Sequence, residues 1–215
     1  MIMYNNFHFI FMETLIKDIL ERPDSKINEE IIKLEGMTGT KTRHFYNNLL
    51  SSINDPVYLE IGTWKGSSLC SAMYKNKATV ICIDNWSEFS GPKQEFLDNF
   101  EKYKGENNAS FIEKDCFKVD INTLPKCNVY LYDGGHSEED HYKALMYYYP
   151  CLADESIFLV DDWNWQQVRD GTYRAIKDLN VDYKLIEIKT SDDNSTTHMS
   201  DGWWNGIGIF ILNKK

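Results

Sequence analysis

Carboxylates recur at one kind of position in this chain, directly after short apolar runs. They are Glu60, Asp84, Asp115, Asp133 and the adjacent pair Asp161 and Asp162. Aspartate is common wherever a strand stops, so a single case means little, but five successive runs that end in this way indicate a shared site. Clustered carboxylates repel one another unless a cation or the polar groups of a ligand compensate. The pattern therefore favours an acid-lined binding or catalytic site.

The stretch YLEIGTWKGSS supplies the first loop of that site. A dinucleotide-binding fingerprint has the form G-x-G-x-x-G, but here Glu60 replaces the first glycine, and Gly62 and Gly66 follow. A buried acid beside a pyrophosphate is electrostatically unfavourable, whereas a ligand with a cationic amino group and no phosphate fits. Gly62 allows close approach of a ligand to the backbone. Gly66 begins a helix whose first turn carries Ser67 and Ser68.

The next run, TVICID, ends in a residue suited to a ribose. Asp84 lies 22 positions after Gly62 and can accept hydrogen bonds from two ribose hydroxyls. Trp86 follows and can lie against an adenine face. An amino acid, a ribose and an adenine together describe S-adenosylmethionine.

The elements that position these residues follow from hydrophobic periodicity. Short apolar runs alternate with amphipathic stretches from Asp55 onward; the runs are 57–62, 79–84, 109–115, 129–135, 157–163, 183–189 and 206–213. This alternation predicts an α/β, Rossmann-like, doubly wound and mostly parallel seven-stranded sheet. The last two runs are joined by a polar loop without a helix, which predicts a C-terminal antiparallel pair. Ligands bind at the carboxyl ends of the strands in such sheets.

Length and composition limit the remaining possibilities. The 215 residues suit an N-terminal helical segment, 1–52, and one domain over 53–215. The net charge of −10 disfavours nucleic acid and anionic membranes as partners. The five cysteines are scattered, without a C-x-x-C pair, which disfavours a disulfide framework or a structural zinc site. A soluble protein in a reducing cytoplasm is the expected setting.

Four motifs in order resemble those of class I S-adenosylmethionine-dependent methyltransferases. They are LEIGTWKGSS, VICIDNW, VYLYDGGH and IFLVDDW, within about residues 55–175. Within that class the chain is most similar to the small O-methyltransferase family that includes the macrocin-type enzymes, which methylate sugars. One departure is ADES, residues 153–156, which stands where the family has a glycine-rich turn before the fifth strand.

The resemblance implies a set of cofactor-binding residues. They are Glu60, Gly62, Thr63, Trp64, Gly66, Ser67, Ser68, Asp84, Asn85, Trp86, Asp115, Cys116 and Asp133. Glu60, Gly62 and Thr63 are expected to border the methionine moiety and Asp84 to hold the ribose. Asp115 and Cys116, after the third strand, are expected near the adenine.

The resemblance also implies a divalent ion, usually magnesium, held by acids after the fourth and fifth strands. The matching residues are Asp133, Asp161 and Asp162, and ligands that are all oxygen suit a hard cation. Adjacent residues of a strand face opposite sides, so Asp161 and Asp162 can share a metal only if the chain is already leaving the strand.

The expected reaction is attack of a metal-bound hydroxyl oxygen on the methyl group, in line with the sulfur. A base must remove the hydroxyl proton. His136, three residues after Asp133, is the candidate base; the other interpretation is that it supports a metal ligand through a hydrogen bond. His141 is a further candidate, on the next predicted helix.

Some features admit two interpretations. Trp163, Trp165, Trp203 and Trp204 flank the predicted site and either stack on a sugar ring or fill the core. The helical segment before the sheet, residues 12–52, forms either a lid over the substrate or a homodimer contact.

The leading hypothesis is a metal-assisted O-methyltransferase that acts on a hydroxyl of a sugar, a glycan or a related small molecule. The alternatives are a hydroxylase or oxidoreductase on the same scaffold, and a non-catalytic module that binds S-adenosylmethionine. A nicotinamide-dependent dehydrogenase is disfavoured because Glu60 replaces a fingerprint glycine.

Overall fold

Seven strands form a single sheet. They are β1 (Val57–Ile61), β2 (Thr79–Asp84), β3 (Asn108–Glu113), β4 (Cys127–Tyr132), β5 (Leu152–Asp161), β6 (Asp182–Ile188) and β7 (Ile207–Asn213). Their order across the sheet is β3-β2-β1-β4-β5-β7-β6. The computed structural model describes the backbone of residues 2–190 and 202–214, and the side chains of residues 9–190 and 202–214.

The first five strands are parallel, and β7 is antiparallel to both of its neighbours, β5 and β6. The predicted sheet and its C-terminal antiparallel pair are therefore confirmed. The sequence did not predict that the last strand lies between β5 and β6. The pairing of Asp161 with Ile207 brings the start of β7 to the carboxyl end of β5.

Seven α-helices accompany the sheet in the described residues. They are α1 (Ile2–Leu20), α2 (Glu29–Ile32), α3 (Thr40–Ser52), α4 (Ser67–Met73), α5 (Lys93–Tyr103), α6 (Glu138–Tyr148) and α7 (Gln166–Leu179). The predicted turn at ADES is wrong, because β5 begins at Leu152 and includes those residues. Of the polar loop predicted between β6 and β7, residues 191–201 lie outside the described part.

The two faces of the sheet bury separate hydrophobic clusters. One contains Tyr58 with Phe45 and Leu69 from α3 and α4, and the other contains Leu59 with Leu145 of α6. Neighbouring strand residues thus point to opposite clusters, as the period of two requires. The sheet is covered on both sides, so its polar positions concentrate at the strand ends.

Two expectations about composition can be compared with the structure. All five cysteines are free, and four of them are buried, as core packing predicts. None of the described helices combines the length and the apolar character needed to cross a bilayer.

Candidate active site

A cavity of about 650 Å³ opens at the carboxyl edge of the sheet. Its lining contains most of the acids that follow the apolar runs, together with several aromatic side chains. The lining residues are Met37, Ile61, Gly62, Trp64, Ile83, Asp84, Asn85, Trp86, Ser87, Glu88, Phe89, Lys114, Asp115, Cys116, Phe117, Tyr132, Asp133, Gly134, Gly135, His136, Asp140, Asp161, Asp162, Trp165, Trp204 and Asn205. Its size is typical of a site for a small molecule or cofactor.

Asp84 organises the loop after β1. Its Oδ2 accepts hydrogen bonds from the backbone N–H groups of Thr63 and Trp64, both at 2.8 Å. Its Oδ1 accepts one from the N–H of Trp86 at 2.7 Å. Since a carboxylate offers about four acceptor positions, about one remains for a ligand hydroxyl. The predicted pair of hydrogen bonds from Asp84 to two ribose hydroxyls stays a prediction.

Gly62 has a left-handed backbone, with φ of 82°, and touches the chain after β4. A Cβ at this position would lie 1.8 Å from the carbonyl oxygen of Asp133, so no other residue fits. The glycine thereby holds the ends of β1 and β4 together at the floor of the cavity.

Glu60 is fully buried behind this loop and does not line the cavity. Its carboxyl group accepts hydrogen bonds from the hydroxyls of Tyr58 at 2.6 Å and Ser68 at 2.7 Å. Burial raises the pKa of Glu60 to about 8, against the effect of these two hydrogen bonds. Glu60 thus supports the loop from below in this structure.

Four further predicted cofactor-binding residues lie outside the lining: Thr63, Gly66, Ser67 and Ser68. Thr63 contributes its backbone N–H to Asp84. Gly66 is the N-cap of α4, with φ of 83°. Both serines are buried on the first turn of α4. The structure therefore gives these residues positions that shape the loop.

The other predicted cofactor-binding residues do line the cavity. Asp115 forms an ion pair with Lys118 at 2.9 Å and accepts a hydrogen bond from the N–H of Phe117, and these two contacts lower its pKa. Cys116 and Asn85 lie on the same wall. Trp86 is largely buried, with its indole N–H donating to the carbonyl of Trp64 at 2.8 Å. The wall after β2 and β3 is thus polar and aromatic, as an adenosine requires.

The opposite end of the cavity holds a compact group of potential metal ligands. One ligand atom from each of Asp133, His136 and Asp162 lies within 4.8 Å of the others. Asp162 has a left-handed backbone, with φ of 53°, because the chain leaves β5 directly after Asp161. The geometric condition for adjacent acids at one site is therefore met. Among the described residues Asp161 is not part of this three-atom group, which contains His136 instead, and the predicted trio of aspartates as metal ligands stays a prediction.

The charges in this group are strongly coupled. His136 Nε2 lies 2.9 Å from Asp162 Oδ2 and 3.8 Å from Asp133 Oδ1. Burial opposes the protonated imidazole, but the two carboxylates outweigh it and raise the pKa of His136 to about 10. A protonated imidazole cannot accept a proton, so the structure does not support His136 as a base in this state.

Two acids beside this imidazole, the buried Asp161 and the partly buried Asp133, also have raised pKa values. Burial, together with the neighbouring carboxylates, raises the pKa of Asp161 well above its ordinary value. Burial and Asp162 also raise the pKa of Asp133, although the adjacent His136 opposes the rise. Asp161 lines the same wall of the cavity. Carboxyl groups whose pKa values are raised in a cleft are candidates for proton transfer.

The donor set fits a divalent cation. Carboxylates and imidazoles are common metal ligands. The buried Nε2 of His136 lies 2.9 Å from Asp162 Oδ2, but the geometry is not that of a hydrogen bond, and Nε2 has no hydrogen-bond partner among the described residues. Asn205 donates from Nδ2 to Asp162 Oδ1 at 2.6 Å and thus orients this carboxylate. His141, the other candidate base, is buried on α6 and does not line the cavity.

The four tryptophans divide into two pairs. Trp163 is fully buried, and its indole N–H donates to Glu187 at 2.8 Å. Trp203 packs against Phe45. Trp165 and Trp204 line the cavity, and the ring of Trp165 lies 5.1 Å from that of His136. Trp163 belongs to the core and the partly buried Trp203 packs against it, whereas Trp165 and Trp204 face the cavity.

The lining residues that sequence reasoning missed include Met37, Asp140 and Asn205. Asn205 lies just before β7. Because β7 runs antiparallel to β5, its start lies at the edge of the sheet where the parallel strands end. The predicted antiparallel pair could therefore have indicated that a residue before the last strand lines the site. Asp140 lies one turn into α6 after the β4 loop. No sequence signal marks Met37, which lies in the loop before α3.

Backbone strain is concentrated around the cavity. Nine non-glycine residues of the described chain have left-handed φ angles. Five of these line the cavity: Trp64, Trp86, Phe89, Asp162 and Trp204. Such conformations carry an energetic cost and cluster at functional sites.

Comparison with known proteins agrees with this geometry. Residues 59–163 match a family model described as a methyltransferase domain. No curated protein sequence matches the chain significantly. Among solved structures, a methyltransferase from Podospora anserina with bound S-adenosylhomocysteine has a TM-score of 0.65 at 12% identity, over 95% of each chain.

Two further structures have the same fold. An O-methyltransferase from Bacillus cereus in complex with S-adenosylhomocysteine has a TM-score of 0.60 at 12% identity, over 94% of this chain and 97% of that one. An O-methyltransferase of tomaymycin synthesis from Streptomyces achromogenes, in complex with S-adenosylmethionine, has a TM-score of 0.54 at 12% identity, over 80% and 79%.

Residues 59–163 thus match a methyltransferase domain, and the chain shares the fold of solved methyltransferases that bind S-adenosylmethionine or S-adenosylhomocysteine. The narrower resemblance to the macrocin-type sugar methyltransferases stays a prediction.

Proposed function

We propose that the protein transfers the methyl group of S-adenosylmethionine to a hydroxyl of a sugar, a glycan or a related polyhydroxyl molecule, with the help of a divalent cation. The observation that carries the proposal is the position of the Asp133, His136 and Asp162 group. It lies in the same cavity as Asp84 and Asp115, the residues suited to the ribose and adenine. Cofactor and acceptor would thus share one continuous space.

The cation would be held by Asp133, His136 and Asp162. When bound, it would favour deprotonation of an acceptor hydroxyl as a Lewis acid. The imidazole changes the expected metal, because oxygen-only sites suit magnesium, whereas imidazole suits transition metals better. We therefore extend the expected metal from Mg²⁺ to divalent transition-metal ions such as Co²⁺ and Mn²⁺.

Asp161 is the carboxylate left to take the hydroxyl proton. It lies beside the group but outside it, and a bound divalent cation would lower its raised pKa, so that the ionised carboxylate can accept the proton. The acceptor oxygen forms a bond to the methyl carbon as the bond from carbon to sulfur breaks. The products are a methyl ether, S-adenosylhomocysteine and a proton on Asp161. The main contribution of the protein is to hold both reactants in line.

The charge of the lining restricts the acceptor. Its acids are Asp84, Glu88, Asp115, Asp133, Asp140, Asp161 and Asp162, whereas Lys114 is the one lysine or arginine that the described part of the chain places in the lining. Even with a divalent cation the excess of negative charge repels phosphorylated or carboxylated acceptors. We therefore favour a neutral or amine-bearing acceptor, with Trp165 and Trp204 as flat surfaces for its ring.

The role of the N-terminal segment, residues 1–52, stays a prediction. Met37 belongs to this segment and lines the cavity, which supports the interpretation as a lid. The same segment can also form a homodimer contact, which is the other interpretation.

The experiment that tests the proposal is calorimetric titration with S-adenosylmethionine, and in parallel with NAD, each with and without Mg²⁺ or Co²⁺. We expect binding of S-adenosylmethionine and not of NAD. The Asp162→Asn variant should retain cofactor binding but lose metal binding and methyl transfer. Asp140→Asn, a cavity acid outside the group, is the matched control and should keep metal binding.

An acceptor screen completes the test, with neutral glycosides, amino sugars and sugar phosphates compared by release of S-adenosylhomocysteine. Turnover of a sugar phosphate in preference to its neutral counterpart would contradict the charge argument. Undiminished transfer by Asp162→Asn would contradict the metal assignment.

A further inference from the structure

A second, smaller cavity lies beside the loop between α2 and α3. Its volume is about 240 Å³, and Arg43, Gly36, Thr38, Gly39 and Thr40 form most of its wall. It is separate from the active-site cavity: Gly36 and Thr38 line the small cavity, whereas the residue between them, Met37, lines the large one.

Arg43 is the charged group of this cavity, and it is only 4% exposed. Its Nε donates to the carbonyl of Thr38 at 3.1 Å. Its Nη1 donates to the carbonyls of Ile31 and Leu34, both at 2.9 Å, and of Ile32 at 3.2 Å. One side of the guanidinium therefore caps the carbonyl end of α2.

The other side of the guanidinium is free. Among the described residues, Nη2 and its two N–H groups have no hydrogen-bond partner, and no carboxylate forms an ion pair with Arg43. Burial lowers the pKa of Arg43 to about 10, so the group stays charged at neutral pH. Carbonyl dipoles satisfy donors but provide no net counter-charge, and a buried charge without a partner is costly.

The backbone donors at the start of α3 are already used in part. Gly39 is its N-cap and provides no side-chain hydrogen bond, but the N–H groups of Lys41 and Thr42 donate to the carbonyl oxygen of Gly202 at 2.8 and 3.3 Å. Arg43 is therefore the main positive group of this cavity. The acid in the wall is Glu35, which is mostly exposed and lies 2.9 Å from Lys65 Nζ. Its charge is thus already paired with a lysine.

We propose that this cavity binds a small oxyanion, a phosphate, sulfate or carboxylate group, through the free Nη2 of Arg43. The volume admits a single such group with water and is too small for a nucleotide. The proposal does not depend on methyl transfer, because the cavity shares no lining residue with the active site.

The site would also stabilise the wall between the two cavities. A Cβ on Gly36 would lie 1.8 Å from Ser67 Oγ, and Thr38 Oγ1 lies 3.4 Å from the same atom. The loop thus packs on the first turn of α4, beside the cofactor loop.

The test is thermal unfolding of the full chain at pH 7.5 without divalent ions. Sodium phosphate and sodium acetate are each compared with sodium chloride at equal ionic strength. We expect phosphate to raise Tm saturably, by about 5 °C at ~100 times its Kd. A rise with acetate alone would assign the site to carboxylates, and a rise with both to oxyanions in general. No rise with either would overturn the proposal.

A substitution at the exposed Thr40 locates the effect. Thr40→Asp supplies a carboxylate at the first turn of α3, where acids are favourable. It should raise the basal Tm and abolish the phosphate effect. Thr123→Asp adds the same charge at an exposed position far along the chain and should keep the phosphate effect. An undiminished phosphate effect in Thr40→Asp would place the anion elsewhere and overturn the proposal.

Discussion

The Nε2 of His136 lies 2.9 Å from Oδ2 of Asp162, while Oδ1 of the same carboxylate accepts a hydrogen bond from Asn205. The imidazole and carboxylate thus face each other at the spacing of an ion pair, with one of them fixed by a third residue. Without a cation, the proton on the imidazole partly offsets the surrounding negative charge. A divalent cation bound there would replace that proton.

This arrangement predicts a metal preference. Because one ligand is an imidazole, Co²⁺ should bind more tightly than Mg²⁺. His136→Asn should weaken Co²⁺ binding by about tenfold or more, because even residues that only hydrogen-bond to metal ligands have effects of that size. The variant should also have a smaller difference between its affinities for Co²⁺ and Mg²⁺. Calorimetric titration of each ion measures this. His44→Asn is the control, because His44 lies half-buried against Ser25. Equal losses in both variants would contradict His136 as a ligand.

The buried Glu60 predicts a pH-dependent stability. Its pKa is raised to about 8 from an ordinary value of 4.5, so between these values the folded chain holds a proton that the unfolded chain has lost. Stability therefore falls as pH rises through this window, by at most ~1.4 kcal/mol per pH unit. In Glu60→Gln the free energy of unfolding should decrease less between pH 5 and pH 8 than in the wild type. Urea unfolding at pH 5, 6.5 and 8 measures this.

The exposed Glu106 provides the comparison for this prediction. Glu106→Gln should leave the pH profile of the free energy of unfolding unchanged. Parallel profiles for the wild type and Glu60→Gln would show that Glu60 is ionised in the folded protein.

The close contact between Gly62 and the backbone of Asp133 predicts that adding one methyl group at Gly62 strongly lowers the stability of the protein. Gly62→Ala should destabilise the protein through its left-handed φ and through overlap with the carbonyl of Asp133. Gly105→Ala shares the left-handed φ, but its nearest atom is 3.9 Å away, so it should cost only ~1–2 kcal/mol of backbone strain. The difference between their free energies of unfolding measures the overlap, and equal losses would contradict it.

The tryptophans predict a separation of stability from activity. Trp163→Ala should cost ~3–5 kcal/mol because it empties a fully buried site. Trp165→Ala should cost less than half of that, because Trp165 lies in the cavity wall, and should instead raise KM for the acceptor. Urea unfolding and steady-state kinetics distinguish the two. A larger loss of stability in Trp165→Ala would reverse the assignment.

Much of the fold was predictable because strand ends and strand cores differ sharply in this chain. The alternation of apolar runs and amphipathic stretches located the sheet, and the shared edge of parallel strands brought together Asp84, Asp115, Asp133, Asp161 and Asp162. The turn predicted at ADES failed because short polar side chains at an exposed strand start resemble a turn. Their pairing within the sheet cannot be deduced from local composition.

The site was less predictable, because side-chain direction depends on tertiary packing. Glu60 was expected to face the ligand, but it turns into the core toward Tyr58 and Ser68. His136 was expected to be a base, but the two carboxylates that surround it favour its protonated form. Both outcomes depend on distances of a few ångströms between residues from different strands, which spacing along the chain does not encode.

The position of β7 also has a consequence for biosynthesis. This strand is the last along the chain, yet it pairs with both β5 and β6. A nascent chain that has emerged only as far as β6 leaves the edge of β5 open, and an open edge is prone to association with other chains. The same late segment carries Asn205, which orients Asp162. The proposed ion-binding end of the cavity is therefore assembled only after β7 has been synthesised, so a chain that terminates before Asn205 would lack it even with Asp133, Asp161 and Asp162 in place.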